Sequence, residues 1–438
     1  MEFRASAGEV DVTPAPGAWL TGFGSRITPS TGIHDRLMAH AVLMDDGATQ
    51  LAIVTCDLIG LNQTDATALR LRISGKIGIL AQNILVCCTH THSGPACTNF
   101  RGASMGQVDH KWLAATLDKI ADLVCALPPK LEPAKVSYAS TEVQGIGYNR
   151  QDASRSTDDE LGVIAVTKAS GGSIATIINY ATHAVMLSSS NTLLSGDFPG
   201  AAARHLADLT DGIGLYIQGA CGDIDPTLFH VRGWGKCTFE DIEDTGRTLA
   251  EAAVAALRDA EPTDDVILGA ASKTIDLPLD PAPSLEETAA LKSEFESDRM
   301  KAITSDNPSD VVIAEAMLQW VSDIMRTREK GPMPTVLSAE VFAARINDIV
   351  ITGVPFEPYH DIGLAVKSGL KPRKVLFAGY CNGLFGYMHT DWAKKQGGYG
   401  PESSCRWYGE MISPFSYGSG DILTDALIDL AISSITDS

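Results

Sequence analysis

No apolar run in this 438-residue sequence approaches the roughly 18 consecutive residues that a membrane-spanning helix needs; the longest, at 51–55 and 84–88, are of strand length. The start, MEFRASAGEVDVTPAPG, lacks a basic stretch followed by an apolar one, which argues against a secretory signal. The nine cysteines contain no C-x-x-C pair, their number is odd, and Cys87 and Cys88 are adjacent. That pattern suits reduced thiols in a cytoplasmic protein better than a disulfide framework. Positive charge is short as well: 34 Lys and Arg stand against 54 Asp and Glu, a formal net charge of −20. So acidic a surface repels nucleic acid and anionic membrane, so neither nucleic-acid binding nor stable membrane association is expected. The charge keeps the chain soluble and says nothing of a substrate. Internal repeats and low-complexity tracts are absent too.

What is present is a globular composition, 45% hydrophobic and 20% charged, in a chain long enough for a sizeable core. Short apolar strands alternate with helical patterns over the first 270 residues. Residues 40–44 and 51–57 read as neighbouring strands joined by the turn Asp45-Asp46-Gly47-Ala48. Strands are also predicted at 83–88, 161–167, 173–180 and 214–218, and helices at 64–76, 108–127, 198–206 and 239–260. Ser284 and Glu287 have the spacing of a capping box opening a charged helix to about residue 303; a second helix is predicted over 310–330. Strands resume at 336–343 and 348–353, and a last helix starts near Asp421. The expected fold class is α/β: a mixed sheet core with flanking helices and an inserted helical hairpin at 280–334, in one domain spanning 1–438.

Three strand ends carry candidate chemistry. Cys88-Thr89-His90-Thr91-His92-Ser93-Gly94-Pro95 follows a buried strand, and residues two apart in an extended segment point the same way, so His90 and His92 are able to face one cleft. Neutral imidazoles so placed suit zinc, and ordinary polar contacts are the competing reading. His183 follows the strand at 173–180, just before Ser195-Gly196-Asp197, a loop leading into a helix; a lone histidine there is as readily structural. Glu357 follows the strand at 348–353 and, read from sequence, begins a helix, where a carboxylate is also explained by the helix dipole.

Taken together these segments resemble the neutral/alkaline ceramidase family. Thr-His-Thr-His-Ser-Gly-Pro is similar to its zinc signature, and Gly145-Ile146-Gly147-Tyr148-Asn149-Arg150 to its substrate-contacting Asn-Arg segment. His183 with the Ser-Gly-Asp loop, Val354-Pro355-Phe356-Glu357, and the stretch from Asn382 through Tyr387 to Thr390 follow in the family's order, and Tyr399 stands twelve residues after Tyr387. The resemblance implies a zinc hydrolase in which His90, His183, Glu357 and Tyr387 hold Zn2+. It implies His92 as proton carrier, Tyr399 as oxyanion donor and Arg150 as a holder of a substrate polar group. Zinc lowers the pKa of bound water to ~7, which makes a nucleophile available at neutral pH for attack on an amide carbonyl.

Three departures bear on the substrate. Asp225, in Gly222-Asp223-Ile224-Asp225-Pro226, stands where the family carries a serine; it is taken as a substrate contact for an ammonium or hydroxyl, the alternative being a cap on the turn or helix at Pro226. The sequence stops soon after the tyrosines, without the family's C-terminal β-sandwich, and no signal peptide is evident. A small polar or N-acyl amide is therefore expected rather than ceramide. A zinc esterase or lactonase and a non-catalytic ligand-binding relative are the alternatives. A second metal on Asp57, Asp35, Asp223 or Asp225 and a nucleophilic Cys221 are weaker readings. Trp234, Trp392 and Trp407 are expected to pack in the core, with a place lining the pocket as the alternative, and oligomerisation stays open.

Overall fold

The structure is a computed structural model that describes residues 2–436. Twelve strands make two sheets. The larger is formed by β1 (Arg4–Asp11), β2 (Met38–Asp45), β3 (Gln50–Cys56), β4 (Ile84–Cys88), β5 (Glu132–Glu142), β6 (Glu160–Lys168), β7 (Ser173–Tyr180) and β8 (Ile213–Gln218). Its order is β8-β7-β6-β5-β1-β2-β3-β4, antiparallel except for the parallel edge pairs β7/β8 and β3/β4. The smaller sheet runs β9 (Leu268–Pro278), β10 (Val336–Ile346), β11 (Ile349–Gly353) and β12 (Lys374–Ala378), with β11/β12 parallel.

Strand alternation sorts the side chains. Leu51, Ile53, Leu85 and Cys87 of the large sheet and Phe342, Ala344, Ile349 and Ile351 of the small one share a buried cluster between the sheets. Their neighbours Val54, Val86, Val341 and Val350 face the opposite way into a helix-covered cluster. That outer layer is supplied by α1 (Gln63–Ile77), α2 (His110–Cys125), α7 (His360–Gly369) and α8 (Ser419–Thr436). On the far end of the large sheet, α3 (Asp197–Thr210) and α4 (Phe239–Ala256) bury Phe198, Ala201, Leu249 and Ala253 against Ile178 and Tyr216. The expected mixed α/β class holds, and it is built on two packed sheets rather than one.

Between β9 and β10 the chain forms two helices, α5 (Leu285–Thr304) and α6 (Pro308–Lys330). Ser284 and Glu287 make the reciprocal capping box that their spacing suggests, and Asn307 caps α6 ahead of Pro308. Among the described residues no helix is long and apolar enough to cross a membrane.

Each parallel edge pair is a strand–helix–strand unit: β3-α1-β4, β7-α3-β8 and β11-α7-β12. Ligands in open α/β sheets bind beyond the carboxyl ends of such strands. Here the segments after β4, β7, β8, β11 and β12 converge.

Candidate metal centre

His90 sits two residues past β4 with φ of 62°, a left-handed conformation rare outside glycine. Its amide is tied to Leu58 O at 2.9 Å, and the His92 amide to Ala184 O at 3.1 Å. The buried Arg26 guanidinium donates to the His92 carbonyl at 3.1 and 3.2 Å, fixing the loop from the other side. His183 follows β7 and hangs from Ile224 O at 2.9 Å. Glu357 does not open a helix: it lies in a two-residue strand, Glu357–Pro358, parallel to Tyr387–Met388, and α7 begins only at His360. The helix-dipole explanation of this carboxylate therefore fails.

These four side chains meet. Glu357 Oε2 lies 3.2 Å from Nε2 of both His90 and His183, and His92 Nε2 lies 3.2 Å from His90 Nε2. The ligating nitrogens of His90, His92 and His183 all fall within 4.8 Å of one another, the one such His/Cys/Asp/Glu group of three among the described residues. All are buried, His92 the least at 9% exposure.

The second ring nitrogen separates the histidines. His90 Nδ1 is 2.6 Å from Ile59 O and His183 Nδ1 is 2.8 Å from Cys221 O, so each Nδ1–H donates to a backbone carbonyl and leaves Nε2 as a lone-pair donor. His92 Nδ1 is buried without a partner, so no backbone carbonyl anchors that side of its ring. His183 Nε2 and Glu357 Oε2 are buried without an aligned hydrogen bond. Orphaned donors converging on one point, with their outer nitrogens anchored, are the donor set of a divalent cation, and the residues fit such an ion.

Without an ion the cluster shares protons. Burial raises the Glu357 carboxyl, but His90 and His183 outweigh it and hold it well below the usual range. Burial lowers His183, yet Cys221 and Glu357 reverse this and push it up to about 10. His92 is driven well below its usual value by burial and by His90 and His183. A cation bound at His183 must displace that proton, and the cost shrinks as pH rises toward about 10. Zinc affinity is therefore expected to rise about tenfold per pH unit between pH 7 and 8 with one proton released, read by calorimetry in buffers of different ionisation enthalpy. Affinity independent of pH would contradict this exchange.

Beside the cluster lies a cavity of about 320 Å3 whose wall includes His92, Arg150, Asp225, Tyr387 and Tyr399. Arg150 donates to Gly222 O (2.6 Å), Tyr387 Oη (2.9 Å) and Asp225 Oδ1 (3.2 Å). Asp225 caps nothing: the helix Thr227–Arg232 has Pro226 at its N-cap with no side-chain bond, and Asp225 sits in a short strand opposite Tyr148. The Tyr387 ring lies parallel to His183 at 6.5 Å and 5.5 Å from the ring of Tyr399. Trp234, 57% exposed, and Trp407 line this cavity, and Trp392 lies under Arg155 at 3.8 Å on a neighbouring one; Trp392 and Trp407 also pack against the core, while Trp234 is exposed. Ile313 of α6 also reaches the wall, which brings the helical hairpin to the site.

The acidic residues considered for a second metal are otherwise engaged. Asp223 accepts from the His360 amide (2.8 Å), lies 2.7 Å from His360 Nδ1 and takes a bond from Asn149. Asp57 accepts from Met38 N and Thr89 Oγ1. Asp35 pairs with His34 and Arg204.

Sequence reasoning missed several supports. Tyr408 Oη donates to Glu357 Oε1 in a short contact, leaving Oε2 for the cluster. The Tyr380 ring stacks on His90 at 4.1 Å. Gly222 is required because a Cβ would sit 2.6 Å from Glu357 O, and Gly22, at φ +94°, because one would sit 2.4 Å from His92 Nδ1. Only the glycines offered a local signal, since the tyrosines act through folding. Tyr408→Phe is expected to weaken zinc binding about 10–100-fold with the fold intact, measured by competition with a chelating dye. Unchanged affinity would mean that Tyr408 does not orient the carboxylate.

The profile of the family described as neutral/alkaline non-lysosomal ceramidase, N-terminal, matches residues 3–215. The neutral ceramidase of Pseudomonas aeruginosa is 23% identical over 455 aligned positions, covering 89% of this chain and 67% of that protein. That of Mycobacterium tuberculosis is 25% identical, covering 53% and 44%, and that of rice 25% identical, covering 51% and 31%. The chain thus spans less than half the length of the latter two. In fold it is similar to the crystal structure of the Pseudomonas aeruginosa neutral ceramidase, with a TM-score of 0.75 at 20% identity over 99% of this chain and 74% of that one.

Proposed function

We propose that the chain, whose residues 3–215 match the neutral/alkaline non-lysosomal ceramidase model, is a member of that family, and that its buried histidine–glutamate cluster is the zinc centre of a hydrolase that cleaves a carbon–nitrogen amide bond. The observation that carries this reading is the Glu357 oxygen 3.2 Å from two imidazole nitrogens whose opposite nitrogens are anchored on backbone carbonyls. Bound there, zinc would supply Lewis-acid polarisation of the substrate carbonyl and a water made acidic enough to attack near neutral pH.

The chain's own residues divide the remaining work. His90, His183 and Glu357 hold the ion, with Tyr387 as a further ligand from the cavity side. His92, at the cavity edge with an unanchored Nδ1, carries a proton to the leaving amine. Tyr399 stays a phenol, since desolvation and the charge of Glu357 push its ionisation up, and it donates to the oxygen that becomes negative. Arg150 is kept charged and in place by Asp225 and Tyr387, where it binds a substrate polar group.

The substrate reading is a small polar or N-acyl amide. A cavity of about 320 Å3 is at the small end of ligand sites, and one wall bears the Arg150–Asp225 pair, which disfavours an all-aliphatic occupant. Nine free cysteines fit a reducing compartment such as the cytoplasm. The test is hydrolysis by zinc-loaded protein of short N-acyl amines and amino-acid amides, with ceramide in detergent and matched esters alongside. Turnover of short amides above ceramide is expected. Turnover of ceramide alone would overturn the substrate reading, and turnover of no amide would overturn the activity.

A further inference from the structure

Cys87 and Cys381 are separated by 294 residues in sequence, yet their sulfurs lie 3.0 Å apart in the core, at 0% and 1% exposure. Their backbones are directly opposed in an isolated antiparallel bridge. The flanking bonds, Cys88 N to Tyr380 O (3.1 Å) and Asn382 N to Val86 O (2.9 Å), make this a non-hydrogen-bonded pair. In such pairs the Cα atoms stand about 4.5 Å apart with side chains turned toward each other, within the range a disulfide spans without backbone movement.

The two segments joined are those of the metal centre. Cys87 lies three residues before His90, on the strand that delivers it. Cys381 lies between Tyr380, whose ring stacks on His90, and Asn382, whose side chain accepts from Val86 N. Tyr380 and Asn382 both adopt positive φ, 57° and 55°, so this segment is held in a conformation its residues do not favour. It is held from one side by Val86 and Cys88 and from the other by the carbonyls of Val354 and Phe356, which accept from the amides of Cys381 (2.9 Å) and Tyr380 (3.0 Å).

We propose that Cys87 and Cys381 form a built disulfide site, a covalent clamp between the strand leading to His90 and the segment leading to Tyr387, closed when the chain meets a disulfide oxidant. With oxidised glutathione the reaction balances in two exchanges. One thiol attacks the glutathione disulfide and forms a mixed disulfide, its proton leaving with the first reduced glutathione. The second thiol attacks the protein sulfur of that mixed disulfide, forms the Cys87–Cys381 bond and releases the second reduced glutathione with its own proton. The remaining seven cysteines stay reduced. The inference stands on the backbone pairing and does not depend on the presence of zinc.

The test is to equilibrate the wild-type chain, natively and during refolding from denaturant, over a series of oxidised-to-reduced glutathione ratios. Samples are then trapped with a thiol alkylator under denaturing conditions and digested without reduction. A single linked peptide joining Cys87 to Cys381 is expected, with alkylated thiols falling from nine to seven and the unfolding midpoint rising by about 3–8 °C. Nine alkylated thiols at the most oxidising ratio, both natively and after refolding, would overturn the proposal, and so would linkage through Cys56, Cys88, Cys97 or Cys221 instead. Cys381→Ala provides the control: it is expected to keep eight alkylated thiols at every ratio and to lose the oxidant-dependent rise in midpoint. A rise that persists in this variant would assign the effect to other cysteines and contradict the site.

Discussion

His183→Ala is expected to leave the chain folded, remove stoichiometric zinc and lower amide turnover at least about a thousandfold, the loss of roughly 4 kcal/mol of charge stabilisation at the reacting carbonyl. The geometry explains why one imidazole matters so much. Glu357 Oε2 is balanced between His90 and His183 at equal distances of 3.2 Å, and the Nδ1 of His183 is anchored on the Cys221 carbonyl. Removing it leaves a buried carboxylate with one imidazole partner and an ion with an incomplete donor set. Circular dichroism separates loss of metal from loss of fold, and metal analysis with turnover of a short N-acyl amine reads the effect. Zinc content and turnover equal to wild type would remove the histidine–glutamate centre from the reaction.

The second large effect is expected at Tyr399. Tyr399→Phe removes a hydroxyl from the cavity wall without touching His90, His183 or Glu357, so zinc content is expected to stay at the wild-type level. Turnover, by contrast, is expected to fall about 100–1,000-fold in kcat with KM little changed, the pattern of a donor used only as negative charge develops. The ring stands 5.5 Å from that of Tyr387, on the side of the cavity where Arg150 also lies. A fall in affinity with kcat preserved would make Tyr399 a contact for the bound substrate, with no part in stabilising the transition state.

How much of this was legible in the sequence varies with how local the signal is. His90, His92 and His183 each follow an apolar strand, and the strand pattern is a short-range property, so their placement at strand ends was readable. So was the Ser284–Glu287 capping box. The second sheet was legible only in part: β10 and β11 were read as strands, β9 and β12 were not. β9 carries Ser272, Lys273, Thr274 and Asp276 and is covered mainly by pairing with β10, so its sequence shows little apolar alternation. β1, with Arg4, Ser6 and Gly8 at alternate positions, is equally faint on its own. Glu357 was misread as a helix start because Pro358 and the helical pattern of α7 follow it directly, while the strand partner that fixes it, Tyr387–Met388, lies thirty residues on. Tyr408 gave no signal, since its role depends on where the Glu357 carboxylate lies after folding. Likewise the difference between His92 and the other two histidines rests on which carbonyl reaches each Nδ1, a tertiary fact.

The most direct test of the account is X-ray absorption at the zinc edge on purified, zinc-loaded wild-type protein, with metal content measured on the same sample. The account predicts about one zinc per chain, a first shell of nitrogen and oxygen near ~2.0–2.1 Å with imidazole scattering beyond it, and no sulfur. Uptake well below one ion per chain, or a shell containing thiolate sulfur near ~2.3 Å, would contradict it, because the nitrogens of His90 and His183 and the carboxylate of Glu357 would then not be what holds the metal.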